Sequence, residues 1–446
     1  EVILSYTNKG LSRLSQQYHH CIMNHICQGK YVHANRPVLI NSWEAFYFDF
    51  DAPKLLGLAD VAADLGMELF VLDDGWFGKR DDSTSSLGDW YPNEEKLKGT
   101  LKELAEKINA KGLKFGLWIE PEMTNKDSDL YRAHPDWLLA EQGKRICHSR
   151  TQYVLDFSKK EVREYIGDML ENLLAEVPVS YIKWDMNRTF SEVFSNGNDR
   201  EYQGKVCHKY ILGVYELYER LTSRFPHVLF ESCASGGARF DPGMLYYAPQ
   251  GWTSDDTDAI ERLKIQYGTS MVYPVSCMGS HVSASPNHQT NRVTPIETRA
   301  DVAYFGTFGY ELDLLKLGEE DKAEIRRQIA FMKEKRDLIQ KGTFYRLKSP
   351  FEGNETAWMI VSEDQKKALV GYYRVMQPVN VGFKRLKLKG LKEDICYKVS
   401  GYDYDCYGDE LMQVGMILSD SASGVWKKGV NDKGDFQAKV FEIVAV

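Results

Sequence analysis

Lys183, Asp185, Asn187 and Arg188 follow directly on an apolar, β-favouring run at 179–182. A long amphipathic segment ending near Pro178 precedes that run, which therefore reads as a buried strand entered from a helix. Ionisable groups at the mouth of a buried strand are costly to desolvate unless they pair or do chemistry. Taken alone, the stretch also reads as a structural Lys183–Asp185 ion pair capping a strand. The same abrupt change recurs along the chain, however. Trp43 and Glu44 follow an apolar run at 38–40, Asp73 and Asp74 follow 69–72, and Trp118 and Glu120 close 115–119. Glu231 and Cys233 follow 227–230, and Asp255 follows Trp252-Thr253-Ser254.

Acids and tryptophans dominate these strand ends, with one Lys and no convergent His cluster. His281 and His288 are isolated and read as core or loop residues. Two chemistries fit acids of this kind: metal-dependent catalysis, or glycoside hydrolysis by a carboxylate pair. Metal sites in such settings usually add His or Lys ligands or bases, which the strand ends do not supply. Glycoside hydrolysis needs two carboxylates flanking the scissile bond, polar groups for the hydroxyls and aromatic rings for the sugar face. The residue types favour the second chemistry, with no cofactor and no metal.

The elements that must position these groups alternate regularly. Strands at 38–40, 69–72 and 115–119 are separated by helical periodicity at 51–65, with Gly66 as C-cap, and at 94–110, closed by Gly112. Helices at about 160–176 and 200–224 flank the next strand, and further strand candidates lie at 227–230, 251–254, 272–278 and 304–312. Strands alternating with helices at this spacing predict parallel βαβ units. The section 121–160 is longer than a simple crossover and reads as an elaborated loop, although 153–155 is strand-like. Without 151–156 the tally is the eight strands of a (β/α)8 TIM barrel; with it the count is off by one. From Thr343 the texture changes to short alternating runs (358–361, 368–373, 379–381, 441–446) after a charged helix at 319–341, the pattern of an antiparallel β-sandwich. The expected division is a connecting helical segment at 1–36, the barrel at 37–341 and a C-terminal β-sandwich at 342–446.

The 446 residues are enough for one large barrel plus a smaller domain. A net charge of -8 argues against a nucleic-acid partner. No run approaches the roughly 18 apolar residues a membrane helix needs, so no membrane association is expected. Eight scattered cysteines form no CxxC pair and no zinc-type spacing, which predicts free thiols in a reducing, cytoplasmic setting. The 9 Trp, 26 Tyr and 20 Phe suit a sugar-stacking cleft, although packing alone accounts for such a count. Glu1 in place of Met suggests that residue 1 is not the native start.

Six segments in chain order carry a more specific signal. They are Asn41-Ser42-Trp43-Glu44-Ala45, Leu72-Asp73-Asp74-Gly75-Trp76-Phe77-Gly78, and Trp118-Ile119-Glu120-Pro121-Glu122-Met123. The others are Lys183-Trp184-Asp185-Met186-Asn187-Arg188, Glu231-Ser232-Cys233-Ala234-Ser235-Gly236-Gly237, and Trp252-Thr253-Ser254-Asp255-Asp256-Thr257-Asp258. Together they resemble the α-galactosidases of glycoside hydrolase family 36 over the whole chain. The resemblance implies a retaining, double-displacement mechanism with Asp185 as nucleophile and Asp255 as general acid/base. Asp256 and Asp258 are the alternatives to Asp255. It also implies that 151–156 lies in a loop, that Asp73 and Asp74 grip the galactose 4- and 6-hydroxyls, and that Lys183 and Arg150 are cationic contacts. Trp118 and Trp43 would be aromatic walls, and Asn187, Cys233 and Gly236 would lie near the 2-hydroxyl.

On these roles Lys183 would favour the ionised form of Asp185, while Asp73, Asp74 and Asp185 would keep the proton on Asp255. The substrates implied are α-galactoside oligosaccharides such as melibiose and raffinose. Members of the family usually carry a large N-terminal β-sandwich that helps build the oligomer. Only its connecting helix is recognisable here, so a piece of a longer chain is expected, with the full-length form a homo-oligomer, plausibly a tetramer. The rival readings are an α-N-acetylgalactosaminidase, a galactosyl transferase, and a non-catalytic sugar-binding barrel. The small residues after Cys233 argue against the first, and the retention of both aspartates against the last.

Overall fold

The structure, a computed structural model, describes residues 2–147, 149–379, 384–418 and 434–446. Eight short strands form a closed barrel: β1 (Leu39–Asn41), β2 (Leu69–Leu72), β3 (Lys114–Ile119), β4 (Tyr181–Trp184), β5 (Leu229–Ser232), β6 (Gln250–Trp252), β7 (Met278–Ser283) and β8 (Thr307–Glu311). Around the barrel the order is β1-β8-β7-β6-β5-β4-β3-β2. Both faces of these strands are covered, so their residues are buried almost without alternation, as parallel strands require. The parallel register aligns Trp118 with Lys183, Lys183 with Glu231, and Glu231 with Gln250 across β3 to β6.

By compactness the residues fall into two units, one of 26–255 with 309–322, the other of 1–25, 256–308 and 323–446. In the first unit, Asp51 starts the helix Ala52–Leu65 by accepting the Lys54 N–H at 2.9 Å, and Gly66 ends it at φ 92°. The expected helix at 94–110 is two helices, Glu94–Leu97 and Leu101–Ala110. Lys98 and Gly99 have positive φ and break the ladder, after which Thr100 and Glu103 form a capping box that restarts it. The expected 200–224 helix is likewise divided, into Arg200–Gln203 and Val206–Arg224.

The strand-like stretch near 153 pairs antiparallel with Met123–Asn125 as a separate ribbon, Gln152–Val154, outside the barrel. The eight-strand count therefore stands without it.

In the second unit the expected strand at 272–278 lies further along. Residues Val275–Cys277 make a 3₁₀ turn behind Pro274, and β7 begins at Met278. Proline cannot donate to a ladder, and β7 carries Ser280, His281 and Ser283, so hydrophobicity under-reports it. The stretch at 304–312 narrows to β8, because the helix Ile296–Ala303 reaches its cap at Tyr304.

The C-terminal domain is antiparallel. Its six-stranded sheet runs Thr343–Lys348, Glu355–Val361, Lys367–Arg374, Gln437–Ala445, Cys396–Val399 and Asp405–Tyr407 in spatial order, accompanied by a two-stranded sheet of Arg385–Leu386 and Met416–Ile417. Ala357, Met359, Val370, Tyr397, Leu411 and Ile443 pack its core. The expected strand at 379–381 is not found at Val379, which is fully exposed; 380 and 381 lie outside the described residues. Among the described residues none of the eight cysteines forms a disulfide. Among the described residues no helix is long and apolar enough to cross a membrane.

Candidate active site

Asp185 leaves the end of β4 with its N–H donating to the Ile119 carbonyl of β3 at 2.8 Å. Its buried carboxylate accepts four hydrogen bonds. Trp118 Nε1 (3.1 Å) and Asn187 Nδ2 (2.9 Å) reach Oδ2, while the N–H groups of Met186 (2.8 Å) and Ser235 (3.3 Å) reach Oδ1. Donors aimed at a buried carboxylate favour its anion.

Lys183 is not its ion-pair partner, contrary to the simplest reading of the sequence. Lys183 Nζ lies 3.1 Å from Asp73 Oδ2, and both side chains are buried. Lys183 sits within β4 and Asp185 beyond its end, so the ammonium occupies a deeper layer, the one into which β2 delivers Asp73. Burial alone would lower the Lys183 pKa, but Asp73, with Cys233, Glu311 and Asp185 behind it, holds it well above its usual value. The ammonium also lies 5.7 Å from the centre of the Trp252 ring.

Asp73 is pushed up by burial, against the pull of Lys183 and of Asn41, whose Nδ2 donates at 2.7 Å. Asn41 Oδ1 in turn accepts the Trp43 N–H at 2.8 Å, tying the start of the short helix Trp43–Phe46 to this carboxylate. The half-buried Trp43 ring meets Tyr47 and Phe48 edge-on at 5.1 and 5.2 Å. Asp74 is held differently: Arg80 Nε and one terminal nitrogen clasp both its oxygens at 2.9 and 2.8 Å.

Asp255 follows β6 and accepts from Trp252 Nε1 at 3.2 Å. Its side chain is exposed to solvent yet crowded by surrounding atoms, which raises its pKa first; Asp185 and Glu311 raise it further, against Lys183 and Arg150. The direction agrees with the sequence expectation, but Glu311, at the end of β8, supplies the field that had been assigned to Asp73 and Asp74.

The turn after β5 joins the two aspartates. Ser235, at φ 47°, donates its N–H to Asp185, and Gly236, at φ 82°, lies against the backbone of Ser254 and Asp255. A Cβ on Gly236 would come within 2.5 Å of Ser254 Cα and 2.7 Å of Asp255 N. Cys233 is buried beneath, its thiol pushed well up by burial and then by Asp185. Exposed Arg150 donates to Ser235 Oγ at 3.1 Å, and Ser235 Oγ donates to Asn187 Oδ1 at 2.9 Å. Arg150, Thr151 and Ser235 all have positive φ, a concentration of strain of the kind found at functional sites.

All eleven residues singled out in the sequence thus fall in one connected assembly within the unit of 26–255 and 309–322. Arg80 and Glu311 escaped the sequence reading of the site, and Glu120 and Ser235, though inside segments it singled out, were given no role. Glu311 and Glu120 each end a buried strand, the same signal that marked Asp73 and Asp185. Arg80 and Ser235 lie in loops and carry no local signal. Glu122 proves structural: Trp184 Nε1, Tyr210 Oη and two Arg239 nitrogens satisfy it at 2.6–2.9 Å. Among the described residues no group of three His, Cys, Asp or Glu side chains is arranged to hold a metal ion.

The fold and site together define a (β/α)8 barrel with an acidic, tryptophan-lined assembly at the carboxyl ends of its strands. The melibiase family profile matches residues 1–342, and that of the glycosyl hydrolase family 36 C-terminal domain matches 355–443. The chain belongs to glycosyl hydrolase family 36.

It is 52% identical over 431 residues to α-galactosidase AgaA of Geobacillus stearothermophilus, covering 96% of this chain and 59% of that protein. To the bifunctional α-galactosidase/sucrose kinase AgaSK of Mediterraneibacter gnavus it is 54% identical over 420 residues, covering 94% of this chain and 44% of that one. A crystal structure of a substituted AgaA in complex with raffinose superposes with a TM-score of 0.95 at 49% identity, covering 99% of this chain and 60% of that one. The α-galactosidase of Lactobacillus brevis gives 0.96 at 46% identity, with 99% and 59% covered. The chain thus spans about three-fifths or less of the relatives it matches.

Proposed function

We propose that this chain carries the catalytic barrel of a retaining α-galactosidase that removes terminal α-linked galactose from oligosaccharides of the melibiose and raffinose type. The observation that carries the proposal is the pairing of an Asp185 carboxylate held by four hydrogen-bond donors with an Asp255 carboxyl whose pKa is raised, the two joined by the 233–237 turn. One group is kept ionised to attack and the other protonated to assist departure, as a double displacement requires.

Asp185 attacks the anomeric carbon as the glycosidic bond breaks, and the Asp255 proton passes to the departing oxygen. The resulting galactosyl ester is then cleaved by water, whose proton returns to Asp255 as the Asp185 carboxylate leaves. Asp73, Asp74 and Lys183 grip the sugar hydroxyls. Trp43 and Trp118 wall the ring, and Asn187, Cys233, Gly236 and Arg150 border the 2-hydroxyl side. The raffinose complex of the AgaA relative supports the substrate class. A domain division near 342, a homo-oligomeric full-length form and a cytoplasmic location belong to the same reading, the last in keeping with cysteines that form no disulfide among the described residues.

The test uses an activated aryl α-galactoside with azide. Asp185→Ala should yield β-galactosyl azide, Asp255→Ala should yield α-galactosyl azide, and the intact protein should release α-galactose first. Full turnover by Asp185→Asn, or initial release of β-galactose, overturns the mechanism.

A further inference from the structure

Glu120 is fully buried at the end of β3, beside Asp185 at the end of β4. One oxygen accepts the Asn187 N–H and the other accepts Gln152 Nε2 at 3.0 Å. Asn187 is the residue whose side chain donates to Asp185 and accepts from Ser235. Gln152 comes from the ribbon outside the barrel, and its other amide atom, Oε1, is buried with no partner among the described residues.

We propose that Glu120 is a positioning residue that works as the neutral acid, fixing the Asn187 turn so that Asp185 keeps its donors. This rests on the α-galactosidase reading above.

Two carboxyls side by side compete for ionisation. Asp185 has four donors; Glu120 has two, together with full burial and no ion pair among the described residues. The charged groups facing it are Asp185, from the end of β4, and Arg80, from the loop after β2, whose guanidinium is already clasped to Asp74. Burial, followed by Asp185, pushes Glu120 up to about 8. A proton on Glu120 would also offer the orphaned Gln152 oxygen a donor. With the Gln152 amide turned over, Oε1 accepts the Glu120 hydroxyl while the second carboxyl oxygen keeps the Asn187 N–H. Ionisation would place two anions side by side and withdraw the hydroxyl from Gln152.

The first readout is independent of activity. A group whose folded pKa is raised contributes stability present below its unfolded pKa, about 4.3, and lost as pH rises through its folded value. The melting temperature of Glu120→Gln relative to the intact protein should therefore rise steadily from pH 5 to 8 and level off above. Glu120→Met, equally unable to titrate, gives the same comparison if the amide variant does not fold. A pH-independent difference for the variant that folds overturns the proposal.

The second readout is kcat/KM for a dinitrophenyl α-galactoside, whose departure needs no proton from Asp255. The intact protein should lose activity through a group near 8, and Glu120→Gln should retain more than about a tenth of the activity at pH 6 and lack that limb, whereas Glu120→Asp, with a shorter reach to Asn187, should fall at least about 10-fold. The same limb in Glu120→Gln overturns the proposal. Absence of any turnover by the intact protein would refute the α-galactosidase reading instead, and the melting comparison would still decide the state of Glu120.

Discussion

Replacing Lys183 by Met removes the ammonium from a buried pair and keeps most of the stem volume. The pair separation is 3.1 Å, with side-chain exposures of 9% and 5%. At that distance the Coulomb attraction is about 5 kcal/mol for an effective dielectric of about 20. The measured loss cannot reach that figure, because Asp73 escapes by taking up a proton. Protonating a carboxyl of unfolded pKa about 3.9 costs about 4 kcal/mol at pH 7, at about 1.4 kcal/mol per unit, and that cost caps the penalty. At pH 5 the same arithmetic leaves about 1.5 kcal/mol.

The sign follows from Asp73 having a raised folded pKa in the variant: the penalty is absent below the unfolded pKa and grows as pH rises. Urea unfolding followed by tryptophan fluorescence at pH 5, 6 and 7 measures it. Lys183→Met should lose up to about 1.4 kcal/mol more stability relative to the intact protein for each unit of pH. Asp73→Asn combined with Lys183→Met should abolish that slope, since nothing is left to titrate. A destabilisation under about 1 kcal/mol at pH 7, or one that does not change with pH, would refute the buried-pair reasoning.

Three further outcomes follow from the same assembly. Gly236→Ala adds a Cβ 2.7 Å from Asp255 N at a residue with φ 82°, so kcat for an α-galactoside should fall about 10- to 100-fold as Asp255 is displaced, and about 1–3 kcal/mol of strain should also lower the urea midpoint. Arg80→Lys loses the two-point clasp on Asp74 and should raise KM about 10-fold or more while changing kcat less, read from steady-state kinetics. Glu311→Gln removes one of the charges that raise Asp255, so the alkaline limb of activity on an unactivated α-galactoside should move to lower pH; a limb that stays in place would refute the assignment.

The site was legible wherever chemistry and position coincide in the chain. Asp73, Asp185 and Asp255 each stand immediately after, or within three residues of, an apolar run, and a parallel barrel gathers all such strand ends at one face. Glu311 carried the same mark but lies outside the six segments, and Glu120, inside one of them, was given no role of its own. Ser235 and Arg80 could not be found in this way. Their importance comes from a backbone N–H at positive φ and from a guanidinium reaching back six residues, and neither is a property of residue type.

The errors in the elements have equally local causes. Gly99, with φ 152°, splits a helix whose periodicity ran through it, and β7 was displaced because Ser280, His281 and Ser283 are buried in a strand that hydrophobicity does not reveal.

What the amino-acid order determined is the inventory: which acids, tryptophans and lysine would be delivered to the carboxyl end of which strand, and that the run near 153 is too short to settle its own partner. What only the folded barrel decided is who pairs with whom. Lys183 is two residues from Asp185, yet it joins Asp73, 110 positions away, because adjacent layers of a barrel are filled by different strands. Asp185 is left to neutral donors from β3 and from the loops after β4 and β5. Proximity along a strand sets the direction in which a side chain points, whereas electrostatic partnership is set by depth in the barrel, which no stretch of sequence specifies by itself.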